Sequence, residues 1–277
     1  MSNFIFDSEE FQRELHESAH HLGEVEFLRS ILRPGMRVIE VGSNRGVTAV
    51  AIAREIGTEG HLYAFEPVPE FYRELQENLV RNKAENVSTH QIALSNRRGR
   101  IQFYKHGGSS GITPADDAET LYVEATTVPD FLDEQGEDAI DLMNLDCEGS
   151  ELLVLQGAKR ILEKHGPPIF CEVHSGYLGE LDQSIDDITG LLGELGYQIR
   201  PILAEDLNAK SNTETCSHIY AWKPERDRQV ESLKRKIADL SARMPVHSVR
   251  PSMVQELEEL EEELEALQKE LGQEAKQ

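Results

Sequence analysis

Acidic and histidine side chains follow several apolar runs of this 277-residue chain, and these are the residues that could do chemistry. Asp146 follows one such run and can act as a base toward a hydroxyl, as a magnesium ligand or as a hydrogen-bond anchor. His174 ends a later run, after Glu172, and a histidine with an ordinary pKa of about 6.5 accepts protons near neutrality. Glu148 and Glu151 begin the segment after Asp146, where a helix dipole favours acidic residues for structural reasons alone. These positions predict a proton-transfer site, and a purely structural histidine is the alternative.

A second group of residues predicts a nucleoside-binding site. The segment from Arg37 to Pro67 reads RVIEVGSNRGVTAVAIAREIGTEGHLYAFEP, which is an apolar run, a glycine turn, a helix, a second run and an acidic residue. A Rossmann-like domain holds an adenosine cofactor with this order of elements. Only Gly42 and Gly46 stand in the turn, whereas a dinucleotide usually requires Gly-x-Gly-x-x-Gly for its pyrophosphate. The spacing therefore favours S-adenosylmethionine, and a nicotinamide-dependent oxidoreductase is the rival hypothesis.

Each residue of this segment has an expected partner in the cofactor. Glu40 closes the first run, where its carboxylate can pair with the ammonium of a methionine group. Glu66 closes the second run, and its two oxygens can accept hydrogen bonds from both ribose hydroxyls. The loop expected to pass under the methionine and ribose consists of Gly42, Ser43, Asn44 and Gly46. The alternative is a set of solvated strand-end carboxylates beside ordinary turn glycines.

The elements that must position these residues alternate between strands and helices. Apolar runs predict strands at 38–41, 61–65, 87–93, 100–104, 121–126, 140–145, 168–173, 197–203 and 217–222. Helical spacing predicts helices at 8–32, 47–56, 69–82, 150–163 and 184–195. This alternation predicts an α/β fold with a mostly parallel sheet covered on both faces, and the last two strands form an antiparallel pair. The candidate residues then share one edge of the sheet, at the carboxyl ends of its strands.

The chain changes character after Trp222. Apolar residues at alternating steps of three and four form two heptad seams, separated by the break from Met244 to Pro251. We therefore expect a helical segment over 1–35, a catalytic domain over 36–224 and coiled-coil helices over 225–277. The coiled coil would form a hairpin or a homo-oligomer, and a single helix of low functional content is the alternative.

Composition excludes several classes of function. The net charge of −23 opposes binding to nucleic acid or to anionic lipid surfaces. Apolar runs are too short for a membrane span, and the acidic N-terminus does not resemble a signal peptide. Three widely spaced cysteines offer no metal motif, so we expect a reduced, cytoplasmic protein without a metal centre. The acidity suits either a protein kept soluble in high salt or an ordinary acidic cytosolic protein.

Five motifs together resemble the FkbM family of S-adenosylmethionine-dependent methyltransferases over about residues 36 to 222. In chain order they read VIEVGSNRG, YAFEPVPEFYRELQENLVRN, IALSNRRG, IDLMNLDCEGSELLVLQGAKRIL and IFCEVH. The resemblance implies a class I, Rossmann-like methyltransferase fold with seven strands, the last antiparallel, and O-methylation of a sugar, glycan or small-molecule acceptor. It implies cofactor binding by Glu40, Gly42, Asn44, Gly46 and Glu66, with adenine near Ala93 and Leu94. It also implies that Asp146, Glu148 and His174 face the acceptor.

Two departures from the family pattern bear on the reaction. Family members often carry aspartate where Glu40 stands, and lysine where this chain has Asn144. If that lysine positions the acceptor oxygen, asparagine supplies only a neutral hydrogen bond. The sequence therefore leaves open whether the acceptor is a hydroxyl or a carboxylate. It also leaves open a role for Mg²⁺, although no motif indicates one. The rival hypothesis is a catalytically impaired scaffold that acts through the coiled coil.

Overall fold

A seven-stranded sheet forms the centre of the protein in the computed structural model, which describes residues 19–106, 110–114, 118–202, 216–244 and 251–274. Its strand order is β3-β2-β1-β7-β8-β10-β9, and β10 runs antiparallel to both of its neighbours. The strands are β1 Arg37–Val41, β2 His61–Phe65, β3 Val87–His90, β7 Leu142–Leu145, β8 Ile169–His174, β9 Gln198–Ile202 and β10 Cys216–Trp222. The predicted Rossmann-like fold with a mostly parallel sheet is confirmed.

Helices cover both faces of this sheet because its strands are apolar on both sides. Val38 faces one buried cluster and Ile39 faces the other, so neither face of β1 is exposed to solvent. The helices that precede β9 are α1 Ala19–Ile31, α2 Val47–Ile56, α3 Pro69–Arg81, α4 Val128–Gln135, α5 Glu151–Gly157, α6 Lys159–Lys164, α7 Ser175–Glu180 and α8 Ile185–Glu194. Burial on both faces leaves the carboxyl edge of the strands as the place where polar side chains can meet.

Two predicted elements are each divided in the structure. The expected strand at 87–93 is two elements, because Val87–His90 pairs with β2 while Ala93–Leu94 (β4) pairs with a different strand. That strand is Glu119–Thr126 (β6), which also pairs with Gly99–Lys105 (β5) in a separate three-stranded sheet. The expected helix at 150–163 is likewise two helices, since Ala158 ends α5 before α6 begins.

Two helices, α4 and α7, were not predicted from the sequence. Helix α4 has ordinary start and stop signals, since Thr127 accepts a hydrogen bond from the backbone of Asp130 and Gly136 ends the helix in a left-handed conformation. This helix has eight residues, which are too few to show a clear helical period. Only the capping residues at its two ends could have identified it from the sequence.

The chain divides into two compact units, and the smaller consists of residues 164–166 and 223–277. It contains α9 Glu225–Arg243 and α10 Pro251–Glu274, which contact each other, and the seam residues Val230, Leu233 and Leu240 are buried. The predicted helices and the break between them are therefore present, while a coiled coil and oligomerisation stay predictions. Within the described residues, no helix is long and apolar enough to cross a membrane. Residues 1–18, which include residues 8–18 of the first predicted helix, lie outside the described part.

Candidate functional site

A cavity lies at the carboxyl edge of β1, β2 and β7 in the larger unit, with about 550 Å³ of empty space that is partly open to solvent. Seven of the residues predicted from sequence line it: Gly42, Asn44, Glu66, Ala93, Leu94, Asp146 and Glu148. Apolar side chains that the sequence did not predict for the site complete the wall, among them Phe65, Phe71, Ile92 and Phe103. One cavity therefore joins the predicted cofactor residues to two of the predicted acceptor residues.

The backbone at Gly42 passes too close to the neighbouring loop for any side chain. Its φ is +87°, and a Cβ placed there would lie 1.7 Å from the carbonyl oxygen of Asp146. The amides of Gly42 and Ser43 both donate to the carbonyl oxygen of Phe65, at 3.0 and 2.9 Å. Gly46 also has positive φ, and its Cβ would lie 2.7 Å from Leu75. The glycines thus hold the loop tight against the ends of β2 and β7, which leaves the cavity open above it.

Glu66 is a buried carboxylate held in place by two backbone donors. The amide of Asn44 donates to its Oε2 at 2.9 Å, and the amide of Val68 donates to its Oε1 at 2.8 Å. Burial raises the pKa of Glu66 to about 7, although these two hydrogen bonds act in the opposite direction. Each oxygen keeps a further lone pair, so the carboxylate can still accept one hydroxyl on each side.

Glu40 lies behind the loop and outside the wall of the cavity, as do Ser43 and Gly46. Ser43 Oγ donates to Glu40 Oε2 at 2.7 Å, and Asn144 Nδ2 donates to Glu40 Oε1 at 3.2 Å. Burial raises the pKa of Glu40, while hydrogen bonds from Thr48, Ser43 and Asn144 lower it. Glu40 and Asn144, the two residues that depart from the family pattern, are therefore hydrogen-bond partners within the sheet.

On the acceptor side, carboxylates surround the imidazole of His174. Its Nδ1 lies 2.8 Å from Glu151 Oε1, and its Nε2 lies 3.3 Å from Glu148 Oε2. Asp146 and Glu172 each bring an oxygen to 3.8 Å from Nε2. Burial lowers the pKa of His174, but the hydrogen bond to Glu151 and the nearby negative charges outweigh it and raise the pKa to about 10. His174 is therefore protonated at neutral pH.

Glu148 has both a left-handed backbone conformation and a raised pKa. It is one of four non-glycine residues with positive φ in the described chain, at +49°, and Asn44 of the cofactor loop is another, at +44°. Burial raises its pKa to about 7, although the charge of His174 opposes the shift. The pKa of Asp146 is raised well above its usual range, first by burial and then by the charge of Glu172. A left-handed residue beside a cavity marks a candidate functional position.

Glu151 is a site residue that sequence reasoning assigned to the helix dipole alone. It is fully buried, and its Oε1 accepts hydrogen bonds from the amide of Gly149 and contacts the ring of His174. In a sequence, an acidic residue in a first helical turn looks the same whether its side chain is exposed or buried, so the residue itself does not indicate this role. The available indication was His174, which ends the next strand at the same edge of the sheet.

Among the described residues, two sets of three ligand-type side chains lie close enough together to consider a metal ion: Asp146, Glu148 and His174, and Glu24, Glu172 and His218. In the first set the pKa of the histidine is about 10, so a metal ion would have to displace its proton at neutral pH. The predicted absence of a metal centre stays a prediction.

Comparisons with known proteins place the chain in a family. A model of the methyltransferase FkbM domain matches residues 40–199, which is more than half of the 277 residues. The 2-O-methyltransferase NoeI of Sinorhizobium fredii is 24% identical over 48% of this chain and 61% of its own length. A protein-L-isoaspartate O-methyltransferase of Methanothrix thermoacetophila is 42% identical over 21% of this chain and 27% of its own length. The chain thus spans less than two thirds of either relative.

Among solved structures, the methyltransferase FkbM of Methylobacillus flagellatus KT is similar with a TM-score of 0.47. The two are 17% identical over 71% of this chain and 50% of that one. The family match over 40–199 contains the glycine loop, Glu66, the Asp146–Glu151 segment and His174. The chain belongs to the FkbM family of S-adenosylmethionine-dependent methyltransferases.

Proposed function

We propose that this protein transfers a methyl group from S-adenosylmethionine to a hydroxyl of a sugar, glycan or small molecule. The observation that carries the proposal is the shared cavity, whose wall contains both Glu66 of the cofactor side and Glu148 of the acceptor side. A methyl donor and an acceptor must meet within one enclosed space, because proximity supplies several kcal/mol of the reduction in the barrier.

The chain's residues fit S-adenosylmethionine. Glu66 has two free lone-pair positions for ribose hydroxyls, and the apolar wall at Phe71, Leu94 and Phe103 suits an adenine ring. The left-handed backbone at Gly42 leaves room for a close approach. When bound, the cofactor supplies an electrophilic methyl group on a sulfonium. A nicotinamide cofactor fits less well, because the loop lacks the middle glycine that a pyrophosphate usually requires.

Glu148 is the residue we assign to accept the hydroxyl proton. Its carboxylate lines the cavity, and a pKa of about 7 leaves it ionised in a large fraction of molecules near neutrality. His174, which the sequence suggested as a base, already holds a proton and therefore acts as a cation that orients Glu148 and Asp146. Asp146 lines the same wall, where it can anchor the acceptor by a hydrogen bond.

The charges of the site favour a neutral hydroxyl over a carboxylate acceptor. Asp146, Glu148, Glu151 and Glu172 all approach His174, so the acidic groups outnumber the single imidazolium among them. An anionic acceptor would add like charge to a region that is partly removed from water, which disfavours binding. We therefore propose a hydroxyl acceptor rather than the carboxylate that the sequence also left open.

Two measurements test the proposal. Calorimetry with S-adenosylhomocysteine should show one binding site per chain, and absence of binding would refute the proposal. Labelled S-adenosylmethionine should then be incubated with matched neutral and uronic sugars, and the products analysed by mass. We expect a methyl ether on a neutral sugar; methyl esters alone would overturn the hydroxyl assignment. Cofactor binding without transfer to any acceptor would favour the rival scaffold hypothesis, in which residues 225–277 carry the function.

A further inference from the structure

A buried group of titratable side chains lies behind the acceptor site and has no role in the proposed reaction so far. Glu24 of α1, Glu172 of β8 and His218 of β10 are all buried. Glu172 and His218 stand directly opposite each other across the antiparallel pair of β8 and β10. His218 Nε2 lies 2.9 Å from Glu24 Oε1 and 3.8 Å from Glu172 Oε2. We call these three residues the rear triad.

Aromatic packing explains why α1 brings Glu24 to this position. The ring of Phe27, one helical turn after Glu24, stacks on Phe170 with centroids 4.7 Å apart and meets the edge of Tyr220 at 5.6 Å. Phe170 precedes Glu172 by two residues on β8 and therefore points to the same face of the sheet. Because Glu24 and Phe27 lie one turn apart on α1, the contact of Phe27 with Phe170 also holds Glu24 near Glu172.

The rear triad contacts the acceptor site through the second oxygen of Glu172. Its Oε2 faces His218, while its Oε1 lies 3.8 Å from Nε2 of His174. The same His174 nitrogen lies 3.3 Å from Glu148, the residue assigned to accept the proton. Glu24 and His218 both lie outside the residues 40–199 that match the family, whereas Glu172 lies inside them. Two residues of the rear triad therefore come from segments outside the part of the chain that matches the family model.

The surroundings of Glu24 favour its protonated form. Burial, the charge of Glu172 and a hydrogen bond to Glu172 raise the pKa of Glu24 well above its ordinary value. Glu24 therefore holds a proton more readily than an ordinary glutamate and can donate it to Glu172. The charge of Glu172 in turn contributes to the raised pKa of Glu148 and of Asp146, after burial in both cases.

We propose that Glu24 and His218 are positioning residues that hold the Glu172 carboxylate beside His174, and that Glu172 acts on the reaction through Glu148. The proposal rests on the proposed function only for the role of Glu148 as proton acceptor. The arrangement would set the pH at which Glu148 becomes ionised.

Several other groups face Glu148 and His174 and must be kept constant in a test. They are Asp146 and Cys147 on the loop after β7, Glu151 on α5 and Tyr177 on α7, while Glu40 on β1 acts on Glu24. None of these is changed in the variants below, so a shift in the titration of Glu148 can be attributed to the rear triad.

The test is a carboxyl titration by ¹³C NMR of the full chain labelled at the glutamate side-chain carboxyl, without cofactor or acceptor. Few carboxyls titrate near neutrality, and the resonance of Glu148 is assigned by its loss in Glu148→Gln. In Glu172→Gln we expect its midpoint to fall by roughly half to one pH unit, because a nearby like charge is removed. The matched control is Glu26→Ala, an exposed residue on the same helix as Glu24, and it should leave the midpoint unchanged.

The role of Glu24 is tested by a conservative pair. Glu24→Gln keeps a hydrogen-bond donor for Glu172 and should titrate like the wild type. Glu24→Ala removes the donor, releases Glu172 from His174 and should lower the Glu148 midpoint toward that of Glu172→Gln. A Glu24→Ala midpoint equal to that of the wild type would overturn the positioning role, and so would a Glu24→Gln midpoint equal to that of Glu24→Ala.

An unchanged Glu148 midpoint in Glu172→Gln would overturn the proposal outright. A partly unfolded variant does not obscure the result, because unfolded molecules give a separate titration near the ordinary glutamate pKa. If Glu172→Gln does not fold, Glu172→Asp, which withdraws the carboxylate by one methylene, should show the same downward shift. None of these readouts needs the cofactor, so failure to bind S-adenosylhomocysteine would refute the proposed function without changing them.

Discussion

The two sides of the cavity hold their carboxylates in different ways. On the cofactor side, Glu66 is fixed by two backbone amides from residues within its own segment and the neighbouring loop. On the acceptor side, Glu148 and Glu172 approach the imidazole of His174 instead, Glu148 from the loop after β7 and Glu172 from the same strand as His174. Burial raises the pKa of both Glu66 and Glu148 to about 7. Burial thus produces the similar acidity on both sides, and it is opposed by backbone hydrogen bonds at Glu66 and by the charge of His174 at Glu148.

This difference indicates which kind of change each side tolerates. A site made by backbone amides depends on the path of the chain, so it should fail when a side chain forces that path to move. A site made by balanced charges depends on side-chain chemistry, so it should fail under isosteric changes that leave the backbone in place. Substitutions chosen on this basis can break or sharpen the comparison.

The largest effect is expected for Gly42→Ala on the cofactor side. The new methyl group would lie 1.7 Å from the carbonyl oxygen of Asp146, and φ at this position is +87°. The loop must move, and we expect affinity for S-adenosylhomocysteine to fall by more than about 100-fold because several contacts are lost together. Calorimetry measures the affinity, and thermal unfolding reports the accompanying loss of stability.

Gly57→Ala is the matched control for this change. Gly57 has φ +66°, but nothing lies within 4 Å of its added Cβ. It should lose about 1 kcal/mol of stability from the left-handed strain and keep its affinity for S-adenosylhomocysteine. Equal losses of affinity in the two variants would show that strain, rather than the close contact with β7, governs the loop.

On the acceptor side, Glu148→Gln should lower kcat by about 10²- to 10⁴-fold while leaving cofactor affinity unchanged, because it removes only the proton acceptor. Glutamine keeps the size of the side chain and the same left-handed backbone. Glu180→Gln, at an exposed position on α7, serves as control and should keep full activity. Loss of cofactor affinity in Glu148→Gln would show that the two sides are not separable.

The fold and the cofactor side could be read from the sequence because their signals are local. The glycine turn, the run before Glu66 and the alternating strands and helices each occupy consecutive residues, and the structure confirms the mostly parallel sheet and the antiparallel last pair that they predict. Boundaries failed where a strand changed partners, as at β3 and β4, since pairing with β6 depends on residues about 30 positions further along.

The acceptor side was predicted only in part, because its chemistry comes from long-range neighbours. Asp146, Glu148 and His174 were identified by strand ends and resemblance, and the structure brings them together. The sequence could not show that Glu151 is buried against the imidazole, nor that Glu24 lies behind it. Without these partners, His174 was assigned an ordinary pKa, whereas its surroundings raise the pKa to about 10.

A smaller effect is expected for Glu66→Gln. The amide group of glutamine can accept only one of the two backbone hydrogen bonds, so the amide of Asn44 or that of Val68 would face another donor. We expect affinity for S-adenosylhomocysteine to fall by about 10- to 100-fold, the range for losing a charged hydrogen bond. An unchanged affinity measured by calorimetry would remove Glu66 from the cofactor site.

The smallest effect concerns stability at alkaline pH, where the two sides of the cavity should contribute differently to the pH dependence of the unfolding free energy. The folded-state pKa of His174, about 10, is raised above its unfolded value near 6.5. The stabilisation that protonated His174 gives the folded state is therefore fully present below pH 6.5 and is lost as the pH rises through 10. Glu66 and Glu148, with folded pKa values of about 7, lose their contributions between pH 4.5 and 7 and add no slope above it.

Between pH 7 and 9, the loss of unfolding free energy should thus come mainly from the acceptor side. We expect this loss to be smaller in His174→Gln than in the wild type by about 1–2 kcal/mol, measured by denaturant unfolding at each pH. His106→Gln, at an exposed position, should keep the wild-type slope. A His174→Gln slope equal to that of the wild type would mean that the imidazole is neutral in the folded protein. His174 would then be available as the base, and the assignment of Glu148 to that role would fall.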